Sequence, residues 1–115
     1  MPDDTTSTAR SGPLAGYRVL EMGSTVAGPF CGRLLADFGA EVIKVEPAEG
    51  DPVRTMGKSF HGKSLYAASI FRNKSLITLD LRLPEGQAIA ADLAAKSDVL
   101  IENFRPGGLE RWGLG

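Results

Sequence analysis

The hexapeptide Glu102-Asn103-Phe104-Arg105-Pro106-Gly107 sets a carboxamide, an aromatic face and a guanidinium side by side and closes on a Pro-Gly turn. Those groups suit a nucleotide, with Phe104 offering a ring face to a base and Arg105 a planar fork to a phosphate. Taken alone they fit a turn with an exposed arginine equally well. A second segment, Gly23-Ser24-Thr25-Val26-Ala27-Gly28-Pro29, ends where a helix is expected to begin. Proline belongs in a first helical turn, where its missing N–H is no loss. Free N–H groups and the positive end of the dipole at such a start favour an anion. The spacing is not G-x-G-x-x-G and Gly32 does not restore it, so a tight turn of small residues stands as the plainer alternative.

Other motifs point less far. Gly57-Lys58-Ser59-Phe60-His61-Gly62-Lys63-Ser64 spells the phosphate-loop pattern G-x-x-x-x-G-K-S. That loop needs a buried strand before it, and Asp51 to Met56, with Pro52 and Arg54, make a poor one, so a basic surface loop is the better reading. Glu46 ends an apolar run where a dinucleotide-binding domain keeps its ribose-binding acid, but Pro47 fits a structural turn as well. Arg72-Asn73-Lys74 serves either as a phosphate contact or as a loop cap. Cys31 would need a base to act as a nucleophile, and nothing brings the one histidine, His61, towards it; Cys31 reads as a small buried residue. A single cysteine and a single histidine argue against a disulfide or a metal site, and no metal is expected. A formal net charge of −1 gives no field for nucleic acid. From Pro52 to Leu79, however, there is no acid, while Arg54, Lys58, Lys63, Arg72 and Lys74 fall there, which fits either a local anionic ligand or a solvated loop.

The elements that must position these groups follow from periodicity. Tyr17 to Met22, Val42 to Glu46, Leu76 to Leu81 and Val99 to Ile101 read as strands, the last an unbroken apolar run of the kind covered on both faces. Phe30, Leu34, Leu35 and Phe38 form one helical stripe, with Gly39 placed to stop the helix. A second helix opens at Pro84, with Ile89, Leu93 and neighbouring alanines as its buried face, and a short third starts near Gly108. Strand-helix-strand in about 30 residues is the size of a βαβ unit. The expected class is therefore α/β, a Rossmann-like parallel sheet with flanking helices. At 115 residues and 43% hydrophobic content the chain holds one domain, here residues 13–115 after a disordered tail over 1–12. Apolar stretches fall far short of the ~18 residues that cross a bilayer, so no membrane partner is expected. The absence of a signal-like start and the cysteine usage suit the cytoplasm.

Several segments in order resemble the family III CoA-transferases (the CaiB/BaiF, formyl-CoA transferase and acyl-CoA racemase superfamily). They are Pro13-Leu14-Ala15-Gly16-Tyr17-Arg18-Val19-Leu20-Glu21, Ala27-Gly28-Pro29-Phe30-Cys31, Asp37-Phe38-Gly39-Ala40-Glu41-Val42-Ile43-Lys44-Val45-Glu46 and Gly50-Asp51-Pro52-Val53-Arg54. Asn73-Lys74-Ser75, Leu79-Asp80-Leu81, Pro84-Glu85-Gly86 and Asp98 through Gly107 follow in the family's sequence of motifs. The resemblance implies a partial coenzyme-A-binding domain of a larger interlaced fold, working as a homodimer on a CoA thioester and a carboxylic acid. It implies a cofactor pocket lined by Val26, Ala27, Leu79 and Arg82, nucleotide contacts from Asn103, Phe104 and Arg105, and a phosphate contact from Arg111. Many members carry an arginine directly after the residue matching Glu46; Pro47 stands here, and that contact is not carried over. The implied reaction moves coenzyme A between carboxylic acids through an enzyme aspartyl intermediate. The acting residues match positions beyond Gly115, so the expectation is an N-terminal fragment that binds coenzyme A or acyl-CoA but lacks the nucleophile. The alternatives are a fragment of an acyl-CoA racemase and a non-catalytic nucleotide-binding module.

Overall fold

A computed structural model describes residues 12–24, 26–47, 49–51, 54, 59–60 and 63–114, with the backbone alone for 59–60 and 63–66. The elements run β1 (Arg18–Glu21), α1 (Ala27–Asp37), β2 (Glu41–Glu46), β3 (Ser59–Phe60), β4 (Lys63–Ser64), α2 (Leu65–Ile70), β5 (Lys74–Thr78), α3 (Pro84–Ala95), β6 (Val99–Ile101) and α4 (Gly108–Arg111). Four strands form one parallel sheet in the order β5-β2-β1-β6. The expected α/β class is observed, and the order is the one with which a doubly wound sheet begins. On one face Val19 and Val42 pack against Ala36 of α1 and Ala40. On the other, Leu20, Met22 and Val45 pack with Ala90 of α3 and the partly buried Leu109 of α4.

The face that α1 buries is not the expected one. Gly28, Pro29, Gly32 and Ala36 are buried, whereas Phe30, Leu34 and Phe38 are exposed. Residues 28, 32 and 36 also repeat at helical spacing, and their small size lets the helix axis approach the sheet. Gly32 shows why: a Cβ there would strike Oε1 of the buried Glu21. Cys31 is likewise exposed rather than buried. In α3 the buried pair is Gly86 and Ala90, and Ile89 is half exposed.

β5 lies two to three residues earlier than its apolar alternation predicts. Asn73 adopts a left-handed φ of 64°, turning the chain directly into the strand at Lys74. Pairing with β2 then runs from Val42↔Lys74 to Glu46↔Thr78 and stops where β2 stops. Leu79-Asp80-Leu81 is thereby left beyond the strand ends, free to line a crevice. In the G-x-x-x-x-G-K-S segment, Ser59–Phe60 and Lys63–Ser64 pair as a short antiparallel ribbon ahead of α2, and Gly57, Lys58, His61 and Gly62 lie outside the described residues. The tail over 1–12 lies outside them too, apart from Gly12.

The acid-free stretch is not a free positive surface among its described side chains. Arg54 pairs with Glu46, Arg72 with Asp37 and Lys74 with Glu21, so its acids come from α1, β1 and β2.

Candidate functional site

The strand order reverses between β1 and β6, and ligands of open α/β sheets settle beyond the C-terminal strand ends at such a point. Met22 N–H donates to the carbonyl of Ile101 at 2.8 Å, the last backbone rung between these strands. Asn103 then supplies an artificial one. Its Oδ1 accepts the N–H of Ser24 at 2.9 Å and its Nδ2 donates to the Ser24 carbonyl at 2.9 Å. Gly23 makes room for this, because a Cβ on it would strike Asn103 Oδ1. The carboxamide therefore shapes the crevice by holding the β1 loop to the β6 loop.

Above this brace lies a pocket of about 290 Å³. Met22, Val45, Leu79, Leu81, Phe104 and Trp112 give it apolar walls, with Phe104 and Trp112 packed edge to face, centroids 5.1 Å apart and planes at 87°. Glu49, Asp51, Asp80, Arg82 and Ser24 supply its polar atoms. Arg82 is 78% exposed and forms a two-pronged pair with Asp80, Nε to Oδ1 at 2.9 Å and Nη2 to Oδ2 at 3.1 Å. The guanidinium hydrogen bonds hold the Asp80 carboxyl below the usual carboxylate range and raise Arg82 in turn.

Of the residues named from sequence, Leu79, Arg82 and Phe104 line this pocket together, and Asn103 braces its wall. Val26 and Ala27 are exposed at the start of α1, outside the lining. Val26 caps that helix without a side-chain hydrogen bond, and no acid stands in the first turn, so the positive dipole end is unshielded. Arg105 and Arg111 are exposed and do not line the pocket, although Trp112, beside Arg111, does. Pocket residues that sequence reading did not single out as site residues include Met22, Val45, Glu49, Asp51, Asp80, Leu81 and Trp112. The continued alternation through Leu79 and Leu81 past the strand end was the available signal for Leu81.

The loop after β2, which brings Pro47, Glu49 and Asp51 to the pocket, is gripped by Glu46. Its Oε1 accepts the Asp51 N–H at 2.8 Å and Arg54 Nε at 2.8 Å, and its Oε2 accepts Arg54 Nη2 at 2.6 Å. Glu46 is thus a structural clasp. The Arg54 hydrogen bonds, joined by the Asp51 amide and opposed by desolvation, hold its carboxyl below the ordinary glutamate range. A depressed folded pKa stabilises fully above the ordinary value, about 4.3, and that contribution is lost as pH falls through the lowered one. Glu46→Gln is accordingly expected to flatten the fall in denaturant midpoint below about pH 4.3. An acid limb as steep as the wild type's would show that Glu46 does not titrate into it.

Fold and crevice together define an α/β domain with an open, largely apolar pocket at its switch point. Residues 14–115 match the model of CoA-transferase family III, and the chain belongs to that family. It is 58% identical to a succinyl-CoA–D-citramalate CoA-transferase of Chloroflexus aurantiacus over 90% of this chain and 26% of that protein. It is 47% identical to the succinyl-CoA:glutarate CoA-transferase of Homo sapiens over 90% of this chain and 24% of that one. The crystal structure of a CaiB/BaiF family protein from Brucella suis superposes with a TM-score of 0.84 at 43% identity, covering 90% of this chain and 29% of that one. The chain thus spans about a quarter of the length of the relatives it matches.

Proposed function

We propose that the pocket holds the nucleotide end of coenzyme A, in a protein that moves coenzyme A between carboxylic acids. The observation that carries this reading is the switch-point pocket itself, apolar within and presenting, among the described residues, the guanidinium of Arg82. At about 290 Å³ it falls at the small end of ligand pockets, so only part of so long a cofactor fits inside. Its carboxylates, Glu49, Asp51 and Asp80, would repel phosphates. The uncharged adenosine therefore belongs in the pocket, between Leu79 and Phe104, with the phosphates outside. Arg82, exposed at one side, exchanges Asp80 for a phosphate oxygen, a charge-assisted contact of the same fork geometry. Val26 and Ala27 at the uncapped start of α1, and Arg105 and Arg111 on the β6 side, serve the remainder of the cofactor, and Asn103 keeps the loop open to it.

The covalent chemistry is assigned to an aspartate outside these residues. Its carboxylate attacks the acyl-CoA carbonyl, giving a mixed anhydride and the CoA thiolate. The thiolate attacks the aspartyl carbonyl, releasing the donor acid and leaving an enzyme thioester, and the acceptor acid reverses both steps. The names of the relatives, which are transferases, support transfer over racemisation. We place the protein in the cytoplasm as an interlaced homodimer. A relative 50% identical is named a beta subunit, which supports a second arrangement, assembly with a different chain of the family.

Calorimetry with coenzyme A on the intact protein tests the reading. Binding is expected, and Arg82→Ala should weaken it by about tenfold, the worth of one charge-assisted hydrogen bond. An unchanged affinity removes Arg82 from the site; a wild type that takes up no coenzyme A overturns the reading.

A further inference from the structure

Behind the pocket, on the α1 side of the sheet, six ionisable groups form one cluster: Glu21, Lys44, Glu46, Asp51, Arg54 and Lys74. Three are cationic and three anionic, and the side chains of Glu21, Lys44 and Lys74 are wholly buried. At its centre, Lys44 Nζ lies 3.0 Å from Glu21 Oε2, 3.1 Å from the Gly23 carbonyl and 2.9 Å from Asp51 Oδ2. An ammonium has three N–H bonds, and these acceptors match them in number. Lys74 bonds the Pro29 carbonyl at 2.8 Å, and the Phe71 ring lies under both Lys44 and Arg54, at 5.5 and 4.8 Å.

Stability alone is a poor reason for such a cluster. A buried ion network is often no more stable than well-packed apolar side chains of the same volume, so what it supplies is geometry. The geometry concerns two pocket loops. Gly23, after β1, and Asp51, after β2, both line the pocket, and one buried nitrogen bonds to both from behind. Lys44 itself does not line the pocket.

We propose that Lys44 is a positioning residue of the pocket: it fixes the Gly23 carbonyl and the Asp51 carboxylate before the ligand arrives, with Glu21 and Lys74 balancing the charge this requires. The proposal rests on the pocket being the coenzyme site. A preformed pocket spares the ligand the cost of ordering two loops, so losing the tether shows as weaker binding.

The test separates position from charge. Lys44→Met removes one positive charge and should lower both the denaturant midpoint and the affinity for coenzyme A. Lys44→Met with Asp51→Asn leaves two charges of each sign in the cluster, so it should recover most of the midpoint. Because Asp51 itself lines the pocket, the reference for affinity is Asp51→Asn alone, and the double variant should bind coenzyme A about tenfold more weakly than that. A double variant that binds as well as Asp51→Asn overturns the positioning role and leaves a merely structural network. A wild type that binds no coenzyme A overturns the pocket reading, and the positioning role with it. Amide exchange on the ligand-free wild type tests the premise even where the variants fail to fold. The Ser24 and Asp51 N–H groups are held by Asn103 and Glu46, so slow exchange is expected of loops ordered before the ligand arrives. Exchange as fast as in an open loop would mean there is no preformed pocket for Lys44 to hold and overturns the proposal.

Discussion

Glu21→Gln is expected to destabilise the protein by about 3–5 kcal/mol at neutral pH, the usual cost of removing one partner from a buried ion pair. The side chain is fully buried, with Oε2 3.0 Å from Lys44 Nζ and Oε1 2.5 Å from Lys74 Nζ. Glutamine keeps almost the same shape, so no cavity opens and the measured loss reports charge. Relaxation is blocked on the helix side, where Gly32 is already so near that a Cβ would strike Oε1. The pH dependence carries a sign that packing cannot mimic. Desolvation already lowers the pKa of Lys74, and the bond to Glu21 is the chief influence raising it again. Without that bond the folded variant gives up the Lys74 proton at a pH where the unfolded chain still holds it. Between those two values stability rises with pH, so the deficit should shrink as pH climbs towards about 10. Denaturant midpoints of variant and wild type at pH 7, 9 and 10 measure this. A deficit absent at pH 7, or one that grows with alkalinity, would show that the charges are not coupled as the distances require.

That cluster also marks the limit of what the residue pattern discloses. β1, β2, β6 and both long helices are legible, because turn residues and apolar runs bound them and a parallel sheet buries continuous runs. The polar members of β1 and β2 are another matter. Glu21 and Lys44 occupy alternate positions that ordinarily face water, and only the pairing Glu21↔Lys44, set by strand register, shows that they neutralise each other inside. The same fact explains the reversed face of α1. A helix lying over buried ion pairs must come close, so Gly28, Gly32 and Ala36 face the sheet while Phe30 and Leu34 point away. Apolar size favours the second set and close approach the first, and periodicity cannot weigh one against the other. At the site, the chemistry of the Glu102 to Gly107 segment points to Asn103 and Phe104, whereas Leu79 and Arg82 come only from the family resemblance. The pocket's acids and Trp112 depend on where loops cross in space. Arg54 and Lys74 lie in a stretch without acids, so their partners had to come from distant segments, which no local charge pattern reveals.

Gly23 and Asn103 are expected to behave as one unit. Asn103→Ala removes both hydrogen bonds to the Ser24 backbone, each worth about 0.5–1.5 kcal/mol net. These groups are exposed, so water replaces the lost partner and the denaturant midpoint should move little. The β1 loop, however, loses its attachment to β6, and coenzyme A affinity should fall by about tenfold or more. Gly23→Ala should produce a similar loss by a different route. Gly23 does not have a positive φ, so alanine's backbone is acceptable there. The added methyl instead meets Asn103 Oδ1, and the carboxamide must swing away from Ser24. Once Asn103 is alanine there is no Oδ1 to strike, and of the three nearest atoms the Asn103 amide nitrogen remains, at a tight 3.2 Å that a shift of a few tenths of an ångström relieves. The double variant should therefore bind coenzyme A about as well as Asn103→Ala alone. Residues sharing one contact are not additive, and the coupling energy should nearly cancel the loss caused by Gly23→Ala. A double-mutant cycle on the dissociation constants measures it. Losses that add would mean that the glycine admits something other than the carboxamide, and the brace across the switch point would then not be what shapes the pocket.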